Sequence, residues 1–125
     1  MTKKYVEGMW TLFIDLDGVT FYQRKGDTWP FVRDPIPGSV DKIRDWGCRG
    51  YYIVFTTARP EIMRDIVEEM LKKAGLPYHQ LIMGLPAKGG RVLINDLGGS
   101  HLVKGTSAIA FEVPRNEGLG DVELP

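Results

Sequence analysis

The sequence has one cysteine, no excess of either charge and no long apolar run. The single Cys48 excludes an internal disulfide framework and is typical of a reducing compartment. Because 16 basic residues balance 16 acidic ones, the charge favours neither nucleic acid nor a membrane surface as a partner. No apolar run approaches ~18 residues, and the N-terminus lacks a signal-peptide pattern. We therefore expect a soluble, cytoplasmic protein with no nucleic acid and no membrane among its partners.

The 125 residues are enough for one domain, 1–125, in which apolar runs alternate with segments of helical periodicity. The apolar runs predict five strands, at Met9–Leu16, Tyr51–Thr56, Gln80–Met83, Arg91–Asn95 and Ser107–Val113. Helical spacing predicts one helix over Val40–Trp46, with Ser39 as its N-cap, and a second from Pro60 to Ala74. This alternation predicts an α/β fold: a Rossmann-like parallel sheet of about five strands in three layers, with helices on both faces.

Two segments fall outside the alternation. Residues 19–37 form a long connection that carries several aromatic side chains and prolines. A connection of this length is usually functional or disordered, and its aromatics favour an ordered flap, such as a small hairpin over the strand ends. Residues 114–125 are Gly-rich and acidic, and we expect them to form a tail that drapes over the surface.

The end of the first strand carries two acids and a glycine, Asp15, Asp17 and Gly18. Alternate residues of a strand share a face, so the two carboxylates start out on the same side. Gly18 lets the backbone leave the strand. Unpaired carboxylates at the end of a buried strand repel each other and lose hydration, and a divalent cation with oxygen ligands, such as Mg²⁺, would relieve both costs.

Polar side chains also follow two later predicted strands. Thr56 and Thr57 end the second strand, and Asp96 ends the fourth. Ligands of open α/β sheets bind beyond the carboxyl ends of the strands. Acids and hydroxyls in one crevice indicate a site for phosphate and a metal ion, with the acids on the cation and the hydroxyls on the phosphoryl oxygens.

These residues, in this order, resemble the motifs of the haloacid-dehalogenase-like superfamily of phosphohydrolases. The first motif matches Phe13–Val19, an apolar strand followed by DxDG. The second matches Ile53–Arg59, a strand that ends in Thr-Thr-Ala-Arg, and the fourth matches Val92–Asp96. The resemblance extends over nearly the whole chain and implies the α/β fold described above.

The resemblance also implies a mechanism. Asp15 is then the nucleophile that forms an aspartyl-phosphate, and Asp17 is the general acid and base. Mg²⁺ is the implied cofactor, bound by Asp15, Asp17 through its backbone carbonyl, and Asp96. Thr57, with Thr56 as its neighbouring alternative, binds a phosphoryl oxygen. Further substrate-binding residues by this resemblance are Gly18, Thr56, Ala58 and Arg59, although an ion pair is the alternative for Arg59.

The chain departs from the superfamily pattern at two motifs. The third motif supplies a lysine ahead of the fourth, and Lys88 lies in that region, with Arg91 or Lys104 as substitutes. The fourth motif usually has a second acid, but its neighbour here is Asn95 and the later positions are Ser100 and His101. A missing carboxylate weakens the cation site and keeps a non-catalytic domain that binds a phosphorylated ligand or protein open as the alternative function.

The substrate class implied by the resemblance is a phosphorylated metabolite, such as a sugar phosphate. A receiver domain is excluded, because its phosphorylated acid would end the third strand, where this chain has Met83 and Gly84. No segment is long enough for a cap domain, so the site is predicted to be open and covered only by the flap. An open site either accepts a large substrate or is closed by a second subunit. We favour a homo-oligomer with Tyr22, Trp29 and Phe31 near the contact.

Overall fold

The fold was analysed in a computed structural model that describes residues 10–27, 31–96 and 107–125. The described part contains three strands, β1 (Thr11–Asp15), β2 (Tyr52–Thr56) and β3 (Gln80–Ile82). Between them lie α1 (Pro37–Cys48) and α2 (Arg64–Ala74), with a 3₁₀ turn at Glu61–Met63 just before α2. The alternation of strands and helices is as the sequence predicts, and the fold is α/β.

The sheet is parallel and its order is β1-β2-β3. Asp15 pairs with Thr56, and Thr56 pairs in turn with Ile82, so the carboxyl ends of all three strands are level. A group that leaves the end of one strand is therefore one strand spacing, about 4.8 Å, from the end of the next. This alignment positions the candidate site.

Only one face of the sheet is covered by helices in the described part of the chain. Leu12, Ile14, Ile53 and Phe55 alternate along β1 and β2 and share a core with apolar residues of both helices, such as Ile43, Trp46, Val67 and Leu71. Crossovers between neighbouring parallel strands are right-handed, which puts both helices on the same side. On the opposite face Phe13 is 55% exposed. The predicted three layers with helices on both faces are therefore not formed here, and two layers are seen.

Helix α1 begins earlier than predicted. Its N-cap is Ile36, and Pro37 occupies the first turn, where the missing N–H costs no hydrogen bond. Ser39 is not the cap. It is buried in the first turn, and its hydroxyl donates to the Val19 carbonyl at 2.5 Å, which ties the helix to the flap. Helix α2 ends as predicted at Gly75, which has φ +67°.

The predicted strands at Arg91–Asn95 and Ser107–Val113 are not formed in this structure. Both stretches run without strand hydrogen bonds, and Val92 and Ile94 are among the most exposed apolar residues. Parts of both line a cavity of about 660 Å³ whose other wall is β1, so the two stretches lie across a gap from the edge of the sheet. The sheet of about five strands is accordingly reduced to three.

The flap contains the predicted pairing. The amide of Tyr22 donates to the Asp34 carbonyl at 3.0 Å and that of Ile36 to the Thr20 carbonyl at 2.8 Å, as in a small antiparallel hairpin. Phe21 is 1% exposed and anchors it to the core. Other predicted positions, namely Met9, Trp29, Ser100, His101 and Lys104, lie outside the described residues.

The tail does not drape over the surface as predicted. Leu119 and Val122 are buried in the core. Lys42 donates from its ammonium group to the Val122 carbonyl at 2.9 Å, and the hydroxyl of Tyr51 donates to the Pro125 carbonyl. Residues 114–125 therefore belong to the packed domain.

No helix in the described part of the chain is both long enough and apolar enough to cross a membrane.

Candidate active site at the carboxyl edge of the sheet

The turn that follows β1 is held by its own backbone. The Leu16 carbonyl accepts the amides of Thr20 and Phe21, both at 2.9 Å, and the hydroxyl of Thr20 donates to the Asp15 carbonyl at 2.8 Å. Gly18 has φ +88°, a conformation that side chains other than glycine rarely adopt. The two acids therefore leave the strand in a fixed turn.

Asp17 is bound by two residues that follow β2. The guanidinium of Arg59 donates from Nη2 to Oδ1 of Asp17 at 2.9 Å and from Nε to Oδ1 and Oδ2 at 3.1 and 3.3 Å. The hydroxyl of Thr57 donates to Oδ2 at 3.0 Å. The Arg59 side chain is 1% exposed and that of Asp17 is 11% exposed. This is a buried ion pair with bidentate geometry, the arrangement in which arginine binds carboxylates most strongly.

Arg59 also contacts the flap. Its Nη1 donates to the Phe31 carbonyl at 2.6 Å, and its guanidinium carbon lies 4.0 Å from the centroid of the Phe31 ring. One buried arginine thus joins the DxDG turn, the end of β2 and the flap. Arg59 thus forms an ion pair, which the sequence analysis gave as the alternative to a contact with substrate. Its predicted contact with substrate stays a prediction.

The two threonines differ in what surrounds them. Thr57 is fully buried, and its hydroxyl donates to Asp17 while accepting the Arg59 amide at 3.1 Å. Thr56 pairs with Asp15 across the sheet and lines the cavity beside it. Of the two, Thr56 therefore has the hydroxyl nearer to open space, while Ala58 is half-buried between Thr57 and Arg59.

The surroundings of Asp15 shift the pKa of its carboxyl group. The pKa of Asp15 is raised from an ordinary 3.8 to about 6, first by desolvation and then by the nearby carboxylate of Asp17, while the charge of Arg91, a hydrogen bond from the Leu16 backbone and the charge of Arg115 lower it. Within the described residues no side chain donates a hydrogen bond to its carboxylate. An acid in a cleft whose pKa is raised by burial and by a second acid is typical of functional sites.

The cavity beside Asp15 is polar at one end and apolar along its length. Asp15, Thr56 and Arg91 contribute polar groups to its lining. The remaining wall is mostly apolar and includes Trp10, Phe13, Leu93, Phe111 and Leu124. A concave, largely apolar cavity with a few convergent polar groups is the usual form of a small-molecule site.

The predicted metal ligands are only partly brought together. No three His, Cys, Asp or Glu side chains of the described residues lie close enough to hold a metal ion. Asp96 lies on the exposed stretch after Arg91 and does not join Asp15 and Asp17. The Asp15 carboxylate and the Asp17 carbonyl, which accepts no hydrogen bond in the described residues, still fit Mg²⁺, since this ion is commonly bound by one or two carboxylates, waters and substrate phosphates.

The predicted lysine is not among the charges that act on Asp15. Lys88 is exposed in the loop before Arg91, and only its neighbours Ala87 and Gly89 line the cavity. Arg91, one of its substitutes, does act on Asp15. The role of Lys88 stays a prediction.

Sequence reasoning missed Arg115 and Asn116. The Asn116 amide donates to the Gly18 carbonyl at 2.7 Å, so the tail contacts the DxDG turn directly. Pro114 and Gly118 signal a turn here, but no local pattern identifies what that turn touches.

Comparison with known proteins places the chain in a family. The family model of the PITM 1-3, LNS2 domain matches residues 14–90, which is more than half of the chain. The chain belongs to the LNS2 domain family. LNS2 domains have a haloacid-dehalogenase-like, phosphatase-type fold, so membership supports the superfamily resemblance of the motifs. The matched range of the LNS2 domain includes Asp15, Asp17, Arg59 and Lys88 but neither Asp96 nor the tail.

The fold of this LNS2 domain is similar to one solved structure, a crystal structure of an MCSG target from Vibrio cholerae. The TM-score is 0.51 at 22% sequence identity, over 81% of this chain and 90% of that one. This likeness supports the fold alone. No curated protein is significantly similar in sequence to this LNS2 domain.

Proposed function

We propose that this LNS2 domain is a Mg²⁺-dependent phosphohydrolase that removes phosphate from a phosphorylated small molecule. The observation that carries the proposal is the state of Asp15. Its carboxylate ends β1, has a pKa raised to about 6, lacks a side-chain donor in the described residues and borders the cavity. Its hydrogen bond is with the backbone of Leu16, so no side chain of the described residues ties this carboxylate to a structural ion pair.

In this proposal Asp15 attacks phosphorus and forms an aspartyl-phosphate, which water then hydrolyses. Asp17 protonates the leaving oxygen and later takes a proton from that water. The bidentate contact with Arg59 fixes the direction of the Asp17 carboxylate. Mg²⁺, when bound by Asp15 and the Asp17 carbonyl, reduces the repulsion between carboxylate and phosphate.

The direct test is turnover of p-nitrophenyl phosphate with and without Mg²⁺. We expect Mg²⁺-dependent turnover by the wild type that is lost in excess chelator, and none by Asp15→Asn. The matched control is Asp41→Asn, since Asp41 is an exposed acid of α1. Full activity in excess chelator, or activity of Asp15→Asn within about tenfold of wild type, would contradict the proposal.

A second candidate is a non-catalytic domain that binds a phosphorylated ligand or partner. It is favoured by the contacts of Asp17, because both of its oxygens already accept hydrogen bonds from Arg59 or Thr57. The separation of Asp96 from the other acids favours it too. Phosphate binding without any Mg²⁺-dependent turnover would select this candidate.

A further inference from the structure

The turn at residues 114–118, called here the tail turn, is hydrogen-bonded through Asn116 to Gln23 of the flap and to Gly18 before it. Asn116 accepts the Gln23 amide on its Oδ1 at 2.8 Å and donates from Nδ2 to the Gln23 carbonyl at 2.6 Å. Its own amide donates to Gly18 at 2.7 Å. Asn116 has φ +67°, a left-handed conformation that asparagine tolerates better than most residues. The Asn116 side chain thus bonds both backbone groups of Gln23, as a neighbouring strand would, and holds the tail turn beside the site.

These bonds place Arg115 beside the DxDG turn. A β-carbon built on Gly18 would lie 3.2 Å from Cγ of Arg115 and 3.8 Å from its Cδ. The aliphatic part of the arginine therefore lies across Gly18, where the absence of a side chain leaves room for it. Long cationic side chains commonly rest their stems on a surface in this way and keep the charged end in water.

The guanidinium of Arg115 is not part of a structural ion pair in the described part of the chain. Its guanidinium makes no ion pair there, whereas Arg33, Arg49, Arg59 and Arg64 each bind an acid. Its position beside Gly18 brings a cation to the turn that carries Asp15 and Asp17. Arg91 approaches the same acid from the cavity wall.

From this geometry we infer that Arg115 binds the phosphoryl group of the ligand, so that the tail turn completes the phosphate site of this LNS2 domain. The inference rests on the proposed function only in taking the ligand to be a phosphate ester. A phosphate dianion beside two carboxylates needs positive charge, and guanidinium matches phosphate oxygens with two parallel N–H donors. Lys88 is exposed in its loop and is not among the charges that act on Asp15, so an arginine can supply the positive charge for the phosphate.

The test measures affinity for inorganic phosphate by calorimetry in the presence of Mg²⁺, apart from turnover. We expect Arg115→Gln to weaken phosphate binding about tenfold or more, and Arg115→Lys to recover part of the loss. The matched control is Arg49→Gln, because Arg49 is an exposed arginine next to the amino end of β2, at the opposite edge of the sheet. Thermal unfolding of each variant checks that it is folded.

Measuring turnover of p-nitrophenyl phosphate by the wild type beside the phosphate titration separates this inference from the proposed function. Phosphate binding that depends on Arg115 but without turnover by the wild type supports the inference and contradicts the phosphohydrolase. Phosphate affinity of Arg115→Gln within twofold of wild type overturns the inference. So does an equal loss in Arg49→Gln, or the absence of phosphate binding by the wild type.

Discussion

Replacing Arg59 by methionine tests the central contact of the site. The change removes three N–H contacts to Asp17, one to the Phe31 carbonyl and the charge over the Phe31 ring, while it keeps most of the aliphatic volume. Asp17 would be left as a nearly buried carboxylate with no cation beside it and with the Thr57 hydroxyl as its remaining side-chain donor in the described residues. Breaking a buried pair from one side typically costs about 3–5 kcal/mol, and we expect a loss in that range. A domain is stable by only about 5–15 kcal/mol, so the variant should be marginal.

The assay is urea unfolding followed by circular dichroism, with Arg59→Met compared to Arg49→Met. Arg49 forms an exposed ion pair with Asp45 on α1, so the same substitution there should cost under about 1 kcal/mol. In the double variant Asp17→Asn/Arg59→Met we expect a cost smaller than the sum of the two single costs, because the pair is lost only once. A loss under about 1 kcal/mol in Arg59→Met would refute the reasoning.

Four further predictions concern charge, metal binding and assembly. Because the pKa of Asp15 is about 6 when folded and 3.8 ordinarily, the folded state takes up this proton first; metal-free protein should therefore gain stability as pH falls from 7 to about 4, and lose that gain in Asp15→Asn. At pH 7 Asp15→Asn should raise the free energy of unfolding by about 1 kcal/mol, allowing for solvent screening, and an unchanged value would contradict the burial argument. Calorimetry should show that Asp15→Asn weakens Mg²⁺ binding and that Asp96→Ala leaves it unchanged, because Asp96 is separate from the other two acids; weaker binding by Asp96→Ala would contradict this separation. Sedimentation should show a homo-oligomer with Tyr22 near the contact, and a strict monomer at high concentration would leave the large-substrate explanation for the open site.

The part of the fold that could be predicted from the sequence is the part that local patterns determine. The apolar runs of β1 and β2 and the helical stripe of α2 depend on residues a few positions apart. The strand predicted at Arg91–Asn95 has the same apolar character as β1, but a strand also needs a neighbour to pair with, and here the neighbouring edge lies across a cavity. Pairing between distant segments is not encoded in the periodicity of either segment.

The site shows the same division. Asp15 and Asp17 could be located because a strand end and a glycine specify them within a few residues. Arg59 could be noticed from the Thr-Thr-Ala-Arg run, yet its partner Asp17 could not be identified, since the contact spans 42 residues. Arg115 could not be found at all, because what places it is a contact between Gly18 and a turn at the other end of the domain.

The contact between the tail turn and the flap also has a consequence for the order of folding. Asn116 and Gln23 are 93 residues apart in sequence, so the loop they close includes most of the domain. Closing such a loop is entropically costly, and contacts of large sequence separation slow folding. During synthesis the sheet and both helices can assemble before residue 116 has emerged. The DxDG turn gains its contacts with Arg115 and Asn116 only after that. The end of β1 with its two carboxylates can thus form early, and Arg115 takes its place beside Gly18 last.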